Sequence, residues 1–441
     1  MDNKFEKSQA IRDKKNILFP IILVLLSTCF FYYINSSVEE FDLWPTLKFK
    51  TGDSKTYLNT GNWLLNKAKF TDVEGSVATR PFLYPFILAS AELLHPWAII
   101  VFQFFLWIAQ ILLVYYSALL ISQSHIASFV LTCFCLSVLS PIGMVLHALT
   151  ETMSSFLLTF YVATIVFYIK KGRRNIFLFL GMLSLSLLSV VKPSYLYIFL
   201  FNIGTITFLW RKRYSFLIIS IFICLWPVFF QYRIMKEKFN LNKISIIGTV
   251  AINDYFLSYF ELKKRGLVKN KDSKYHIGGI RKLRRNYFFN MKKSEGYVTA
   301  VRKIKNELIL NVKHYPFEVI STFIDLTVEN CTQASHYLQE KTNRDYLYTI
   351  VSLWQSRGLL LINIFSVLFF ILTLTKKKNN LLKKDFFVIN VTAYAIVLFV
   401  YISSGVSIGQ GDRFLVPIYF VSYLWFFFQI NMQIADYSHP T

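Results

Sequence analysis

The apolar residues of this chain fall into long runs that are separated by short polar and basic links. About ten of these runs approach the length at which an α-helix crosses the hydrocarbon core of a bilayer. None alternates in the manner of a barrel strand, and a backbone in lipid must satisfy its own hydrogen bonds. The pattern therefore predicts an all-α polytopic membrane protein with about ten transmembrane helices. The predicted spans are 17–35, 97–120, 125–146, 151–169, 175–191, 194–210, 214–231, 357–375, 384–404 and 413–432.

The stretch 81–94 is apolar, but its length of about 14 residues is more typical of an interfacial or re-entrant helix than of a span. If it lies on the membrane surface, every basic cluster in a short link falls on the side of the N-terminus. If it crosses instead, the clusters from Lys170 onward move to the opposite side. The positive-inside rule favours the surface helix and places both termini in the cytoplasm. The basic clusters are Lys4 to Lys15, Lys170 to Arg174, Arg211 to Arg213 and Lys376 to Lys384.

This orientation divides the chain into three parts. Residues 1–231 are predicted to form an N-terminal transmembrane core, whose first outer loop, 36–96, holds juxtamembrane helices. Residues 232–356 form a basic, helical outer subdomain, and 357–441 return as C-terminal transmembrane helices. Loops that carry candidate chemistry then all open onto the non-cytoplasmic face.

Composition agrees with a membrane protein. Only 17% of the residues are charged, against about 25% in soluble proteins, and the mean hydropathy is +0.44. The formal net charge of +23 suggests nucleic acid at first sight. The sorting of Lys and Arg among loops explains it better, so we expect no nucleic-acid partner. The basic segment 232–356 indicates an anionic neighbour, either lipid head groups or an acidic glycan, or else a solvated basic face.

Several classes of site are not indicated. The seven histidines show no zinc-ligand spacing, and the five cysteines predict neither a disulfide framework nor a CxxC metal site. There is no Walker loop, GxGxxG fingerprint or GxSxG elbow. Without these motifs, a nucleotide-dependent pump is not predicted.

The first candidate for chemistry is Asp53, at the start of a stretch with helical spacing in the first outer loop. A carboxylate at the start of a surface helix can act as general base for a sugar hydroxyl. The alternative is that Asp53 or Ser54 caps the helix. The apolar stripe of this helix is Tyr57, Leu58, Gly61, Leu64 and Leu65.

The second candidate is Arg80, which opens the short apolar helix in the sequence Arg80-Pro81-Phe82-Leu83-Tyr84-Pro85. Its planar fork of donors suits a phosphate. The alternative is an arginine that snorkels at the interface.

Three further charged residues are predicted at outer span ends, where ionisable groups are costly and usually functional. Glu151 follows Thr150 at a helix start, and this pair could equally be ordinary capping. Lys192 precedes Pro193, and Arg413 begins the sequence Arg413-Phe414-Leu415-Val416-Pro417. Both cations could instead snorkel. Together, two carboxylates and three cations on one face provide a base for an acceptor and positive charge for a departing phosphate.

This ordered set resembles the GT-C class of membrane glycosyltransferases, specifically the bacterial relatives of protein O-mannosyltransferases and of the aminoarabinose transferase that acts on lipid A. Those proteins show an aspartate in the first outer loop, an R-P-x-x-Y-P-like segment, a T-[DE] pair, an [RK]-P pair and an R-[YF]-x-x-P motif. The matching residues are Asp53; Arg80, Pro81, Tyr84 and Pro85; Thr150 and Glu151; Lys192 and Pro193; and Arg413, Phe414 and Pro417. The resemblance covers 17–210 and the C-terminal spans, and says little about 232–356.

The resemblance implies a polyprenyl-phosphate monosaccharide as donor, usually with inversion at the anomeric carbon. Asp53 would be the general base, and Glu151 would orient donor or acceptor. The three cations Arg80, Lys192 and Arg413 would hold the lipid phosphate. Tyr57 and Tyr84 are the candidate substrate-binding side chains.

The resemblance also implies partners and a location. The partners are the lipid-linked donor, an envelope glycan, lipid or protein as acceptor, and the surrounding membrane lipids. A bacterial inner membrane is favoured, with the site on the periplasmic face. One departure concerns Asp53, which stands alone where some members carry paired acids, although Asp72 or Glu74 could supply the second carboxylate. We therefore expect no cofactor, and a metal-independent site is favoured over one that holds a divalent metal.

Two other functions fit a many-span protein with a basic outer surface. The first is a transporter or flippase of a lipid-linked saccharide, although such proteins often show repeats and broken helices in matching halves, and neither is evident here. The second is a non-catalytic scaffold for an envelope assembly.

Overall fold

The computed structural model describes residues 2–36, 52–172, 174–210, 214–266, 273–332, 345–375, 380–406, 413 and 415–438. Across these ranges the chain is helical and has no β-strand. The prediction of an all-α chain is confirmed there. Some predicted features lie outside the described residues: 37–51 of the first outer loop, Arg173, the basic clusters 211–213 and 376–378, and Phe414 of the C-terminal motif.

Eighteen helical segments follow one another along the described chain, with short 3₁₀ turns at Pro193–Tyr195 and Val416–Ile418 and a π-helical turn at Ile252–Phe256. They are α1 (Asp2–Ser36), α2 (Gly52–Leu64), α3 (Phe70–Thr79), α4 (Leu83–Leu94), α5 (Ala98–Ser122), α6 (His125–Leu136), α7 (Leu139–Met144), α8 (Glu151–Lys170), α9 (Asn175–Ser189), α10 (Leu196–Trp210), α11 (Tyr214–Phe239), α12 (Ile247–Ala251), α13 (Leu257–Lys264), α14 (Ser273–His314), α15 (Pro316–Thr332), α16 (Asp345–Thr375), α17 (Asn380–Ser404) and α18 (Tyr419–Ser438). One segment, Ser273–His314, is two helices that meet at a kink at Gly296, where φ is 83°.

Six of the described helices are long and apolar enough to cross a membrane, by length and composition. They are α1, α5, α8, α11, α16 and α17. Their candidate spans are Ile17–Ile34, Ala98–Ser122, Glu151–Lys170, Phe216–Phe239, Ile350–Thr373 and Phe387–Ser404. Shorter apolar helices occupy four more places: Leu83–Leu94, His125–Leu136, Asn175–Ser189 and Val416–Met432. A helical membrane protein is therefore supported, with some of the predicted spans shorter than expected.

The predicted span 125–146 is wrong as one continuous helix. α6 ends at Leu136 and α7 begins at Leu139. The cause is Pro141, which has no N–H to donate to the carbonyl of Ser137 four residues earlier. The side-chain amide of Gln355 in α16 bonds the backbone groups at the break. Its Nε2 donates to the Ser137 carbonyl (2.7 Å), and its Oε1 accepts from the Leu139 N–H (2.9 Å).

α8 is the central helix of the apolar part. In the most apolar stretch of α8, 78% of the residues are buried, against 17–50% in the corresponding stretches of the other five candidate spans. It packs against α5 and α9, and Gln110 of α5 donates to Ser155 (2.7 Å) and Thr159 (2.9 Å) of α8. Such hydrogen bonds between spans help to fix one helix against another in a bilayer. Because Glu151 is the first residue of α8, its position is set by the most buried of the six candidate spans.

The segment after α11 builds a second hydrophobic core, which also takes in α3. Val77 of α3, Met235 of α11 and Ile304 of α14 are each at most 1% exposed in this core. The backbone N–H of Ile246 donates to the Ala78 carbonyl (3.0 Å). The basic segment 232–356 therefore packs directly on α3, which Arg80 follows.

Candidate functional site

Arg80 and Asp53 form the first pair of the candidate site. Arg80 follows α3 in extended backbone, and its Nη2 lies 2.5 Å from Oδ1 of Asp53, in the first turn of α2. Its Nε donates to the Thr56 hydroxyl at 2.9 Å. The Arg80 side chain is only 13% exposed, so the alternative of a snorkelling arginine is wrong.

Arg413 joins this pair to α8. Its Nη1 lies 3.1 Å from Oδ2 of Asp53, and its Nε donates to Oε1 of Glu151 at 2.7 Å. Lys192 Nζ approaches the same Glu151 oxygen at 3.4 Å. The five charged side chains predicted from separate stretches of sequence are therefore one contiguous network, which we call the charge cluster.

The local fold explains why each residue reaches the charge cluster. Glu151 starts α8, and the N-cap residue Thr150 makes no side-chain capping bond. Lys192 stands in extended backbone just before the 3₁₀ turn that Pro193 opens after α9. Since the Thr150 side chain makes no capping bond, the proposed Thr150 cap is wrong. At the start of α2, both carboxylate oxygens of Asp53 contact arginines.

Tyr57 and Tyr84 form the wall beside Arg80. Arg80 Nη1 donates to the Tyr57 hydroxyl (3.1 Å), and the two tyrosine rings meet edge to face with centroids 5.2 Å apart. The Tyr84 hydroxyl donates to Oε1 of Gln103 at 3.0 Å. Gln103 in turn donates to the Val145 (2.8 Å) and His147 (2.9 Å) carbonyls, just ahead of α8. Both tyrosines lie next to the charge cluster, and both are buried.

Sequence reasoning missed three polar residues that support this arrangement. Thr56 binds Arg80, Gln103 connects α4 to the approach to α8, and Gln231 accepts from the Phe82 N–H at 3.0 Å. Gln103 and Gln231 each sit inside an apolar run. An uncharged amide in such a run needs a partner within the protein, and that was the available signal.

The second carboxylate of the cluster is Glu151, and neither Asp72 nor Glu74 supplies it. Asp72 is exposed on α3 and accepts from Thr71 at 3.2 Å. Glu74 faces Tyr297 of the outer subdomain. No group of three or more His, Cys, Asp or Glu side chains that could hold a metal occurs among the described residues.

Charge and exposure differ sharply across the charge cluster. Three cations and two carboxylates give it a net charge of +1. Glu151 and Arg413 are 1% and 7% exposed, whereas Asp53 is 37% exposed. Burial works to raise the pKa of Asp53, but Arg80 and Arg413 together outweigh it and hold that pKa below its ordinary value. Solvent therefore reaches an ionised carboxylate at the rim, above a buried ion pair.

A close helix approach fixes Asp53 relative to Arg80. Gly61 of α2 lies against α4 so tightly that an added Cβ would stand 2.2 Å from the Pro85 carbonyl oxygen and 2.5 Å from Ala89 Cβ. Neither neighbour can rotate away, because one is backbone and the other is itself a Cβ. Only glycine fits at this crossing.

Gly61→Ala is expected to destabilise the protein by about 1–3 kcal/mol through overpacking, and to move α2 relative to Arg80. The midpoint of thermal unfolding in detergent measures the first effect. Gly358→Ala is the matched control, since a Cβ on Gly358 meets nothing within 4 Å. Equal midpoints for the two variants would contradict the close approach.

Comparisons with protein-family models, curated proteins and solved structures find no match to this chain. Its function is therefore proposed from the geometry of the charge cluster and from the motif resemblance.

Proposed function

We propose that this chain is a glycosyltransferase of the GT-C type. It would move a monosaccharide from a polyprenyl-phosphate donor to an envelope glycan, lipid or protein on the non-cytoplasmic face. The observation that carries the proposal is the charge cluster: five charged side chains from five separated stretches of chain meet through contacts of 2.5–3.4 Å. Such a group of partly buried charges is expensive to assemble near a membrane, which favours a functional role.

The cations suit the donor phosphate. Arg80 and Arg413 present planar forks that bind phosphate oxygens in pairs, and Lys192 adds a third positive charge. A phosphodiester carries one negative charge, which neutralises the net +1 of the charge cluster. When the glycosidic bond breaks, the leaving phosphate gains a second negative charge, and the same cations stabilise it.

Asp53 suits the role of general base because it is the carboxylate that solvent reaches. It would take the proton of the acceptor hydroxyl as that oxygen attacks the anomeric carbon. The bond from the anomeric carbon to the phosphate oxygen breaks on the opposite face, which inverts the configuration. Glu151, at 1% exposed, is assigned to positioning Arg413 and Lys192.

In the unliganded arrangement Asp53 is a weak base, since arginines bind both of its oxygens. A donor phosphate would compete for the same two guanidinium groups. Its binding would draw positive charge away from Asp53 and raise the basicity of the carboxylate. The donor would therefore bind before the base becomes effective, and the acceptor would follow.

The pH dependence of transfer tests this exchange. The reactive form of Asp53 is the carboxylate, which persists above its pKa. In the free protein Arg80 and Arg413 hold that pKa below the ordinary value of an aspartate, so the acid limb of kcat/KM for the donor is expected below the ordinary range of an aspartate. The acid limb of kcat reports the pKa of Asp53 in the donor complex, and this limb is expected at higher pH than the acid limb of kcat/KM. A coincident limb in both profiles would contradict the exchange, and unfolding midpoints at each pH control for denaturation.

The proposed orientation is also supported by the helix lengths. α4 is 12 residues long, or about 18 Å, short of the hydrocarbon thickness of about 30 Å. Lys170 ends α8 roughly 30 Å from Glu151, on the side assigned to the cytoplasm. The charge cluster is thus proposed on the outer or periplasmic face.

A direct assay distinguishes the proposed function from its alternatives. The purified full chain in nanodiscs is supplied with radiolabelled polyprenyl-phosphate monosaccharides and with candidate glycan, lipid and protein acceptors. Label that moves to an acceptor, with release of polyprenyl phosphate, supports the transferase. In sealed vesicles, movement of intact donor across the bilayer without a new glycosidic bond would favour a flippase. A scaffold would be favoured if neither transfer nor movement is seen, and if cells in which Asp53 and Arg413 are both replaced behave as cells with the unchanged chain do.

A further inference from the structure

α15 carries an exposed apolar face that no described part of the chain covers. Phe317 is 81% exposed, Ile320 56%, and Ile324 and Val328 are 53% each. These residues recur at steps of three and four and therefore share one side of the helix. We call them the α15 stripe. Three of them are about as exposed as Leu361 (54%) and Phe365 (50%) in the candidate span of α16, and Phe317 is more exposed than either.

The other side of α15 is packed. Leu326 belongs to the second hydrophobic core and is fully buried, as are Thr322 and Asn330. The acidic residues Glu318, Asp325 and Glu329 are spaced by seven and four and share a separate flank. There Asp325 accepts from Lys263 Nζ of α13 at 2.5 Å. The α15 stripe therefore contains no charge and faces away from the subdomain.

Contacts with α17 place α15 at the end of a candidate membrane span. Asn330 Nδ2 donates to the Ser404 carbonyl at 3.0 Å. A Cβ on Gly405 would lie 2.5 Å from Thr327 Oγ1 and 2.8 Å from Phe323 Cζ. Phe323, Thr327 and Asn330 span about 10 Å of helix. All three lie against the last residue of α17, Ser404, or the residue that follows it, Gly405.

α15 therefore crosses the end of α17 instead of continuing along it. The candidate span of α17 is Phe387–Ser404, so the crossing lies where that span leaves the apolar layer. A helix lying across this level, with one uncharged apolar side, has the form of an interfacial helix.

We propose that the α15 stripe is buried in the outer leaflet of the bilayer, and that it docks the outer subdomain on the lipid surface. The occupant is the upper acyl region of the lipids. The stripe holds α13–α15, and through the shared core the α3–Arg80 segment, at a fixed height above the spans. This inference stands whether or not the chain is a transferase.

The test reports contact with lipid at single positions of the full chain. Ile320→Cys and Ile324→Cys are labelled in detergent with an environment-sensitive maleimide. Each protein is then placed as one copy per nanodisc, and some of the lipids carry a spin-label quencher on the upper acyl chain. Glu318→Cys, exposed on the acidic flank of the same helix, is the matched control. The unchanged chain gives the background from native cysteines.

The stripe positions are expected to lose about half or more of their emission to the lipid quencher, and the Glu318→Cys label to lose little. Equal, low quenching at all three positions would mean that the stripe faces water, and would overturn the proposal. Shielding from an aqueous quencher that arises only with two copies per disc would assign the stripe to self-association and overturn it as well.

Discussion

Asp53→Asn is expected to reduce transfer by about 10²–10⁴-fold, the usual contribution of a general base, without weakening donor binding. Asparagine keeps the size of the side chain and removes its charge. Arg80 and Arg413 then lose a competing carboxylate at 2.5 Å and 3.1 Å. The affinity for a polyprenyl phosphate should therefore stay equal or rise while kcat falls.

The measurement pairs initial rates of transfer with equilibrium binding of polyprenyl phosphate to the same preparations. Asp72→Asn is the matched control, because Asp72 is an exposed acid on α3 of the same outer loop, away from the charge cluster. Full transfer by Asp53→Asn would rule out the proposed base. Weaker phosphate binding by this variant would rule out the competition between carboxylate and phosphate.

Arg413→Met is expected to cost about 3–5 kcal/mol of stability, as for the loss of one partner from a buried ion pair, and to abolish transfer. Arg413 is 7% exposed and is the side chain that contacts both carboxylates. Methionine fills much of the same volume, so the effect reports charge more than packing. Without the guanidinium, Glu151 keeps only the 3.4 Å contact with Lys192 among the cluster cations.

Thermal unfolding in detergent, repeated for Glu151→Gln and for the double variant, isolates the pairwise term in a double-mutant cycle. The double variant should recover part of the loss, since it no longer buries an unpaired carboxylate. Arg233→Met is the control, because Arg233 forms an exposed pair with Glu237 within α11, and its midpoint should not change. A normal midpoint for Arg413→Met would show that the ion pair does not hold α8 to the C-terminal segment.

The helix α2 shows which features of a structure its local sequence predicts. The spacing of Tyr57, Leu58 and Gly61 predicted a surface helix, and α2 covers these positions. The reason Gly61 must be glycine came only from the 2.2 Å clash with Pro85 of α4. Sequence spacing reports which side of a helix is apolar, but it does not report how closely another helix approaches.

The start of α8 shows what local sequence does not predict. Thr150 and Glu151 fitted an ordinary helix start, and the sequence favoured neither capping nor chemistry. Glu151 instead contacts Arg413, 262 positions further along the chain. A local pattern cannot reveal such a partner, because the pairing depends on how α8 and the C-terminal segment meet in space.

The sequence alone predicted the helical class, the apolar runs, the short helix at 81–94 and the five charged residues of the candidate site. These follow from the cost of leaving backbone groups or charges unsatisfied in lipid, which leaves its mark residue by residue. Only the folded chain shows the break before Pro141, the joining of α3 to the segment 232–356, and the division of the charge cluster into a partly exposed carboxylate and a buried one. Those features depend on packing between distant segments, where Gln355, Arg413 and Gly61 each meet neighbours that their own surroundings in sequence do not specify.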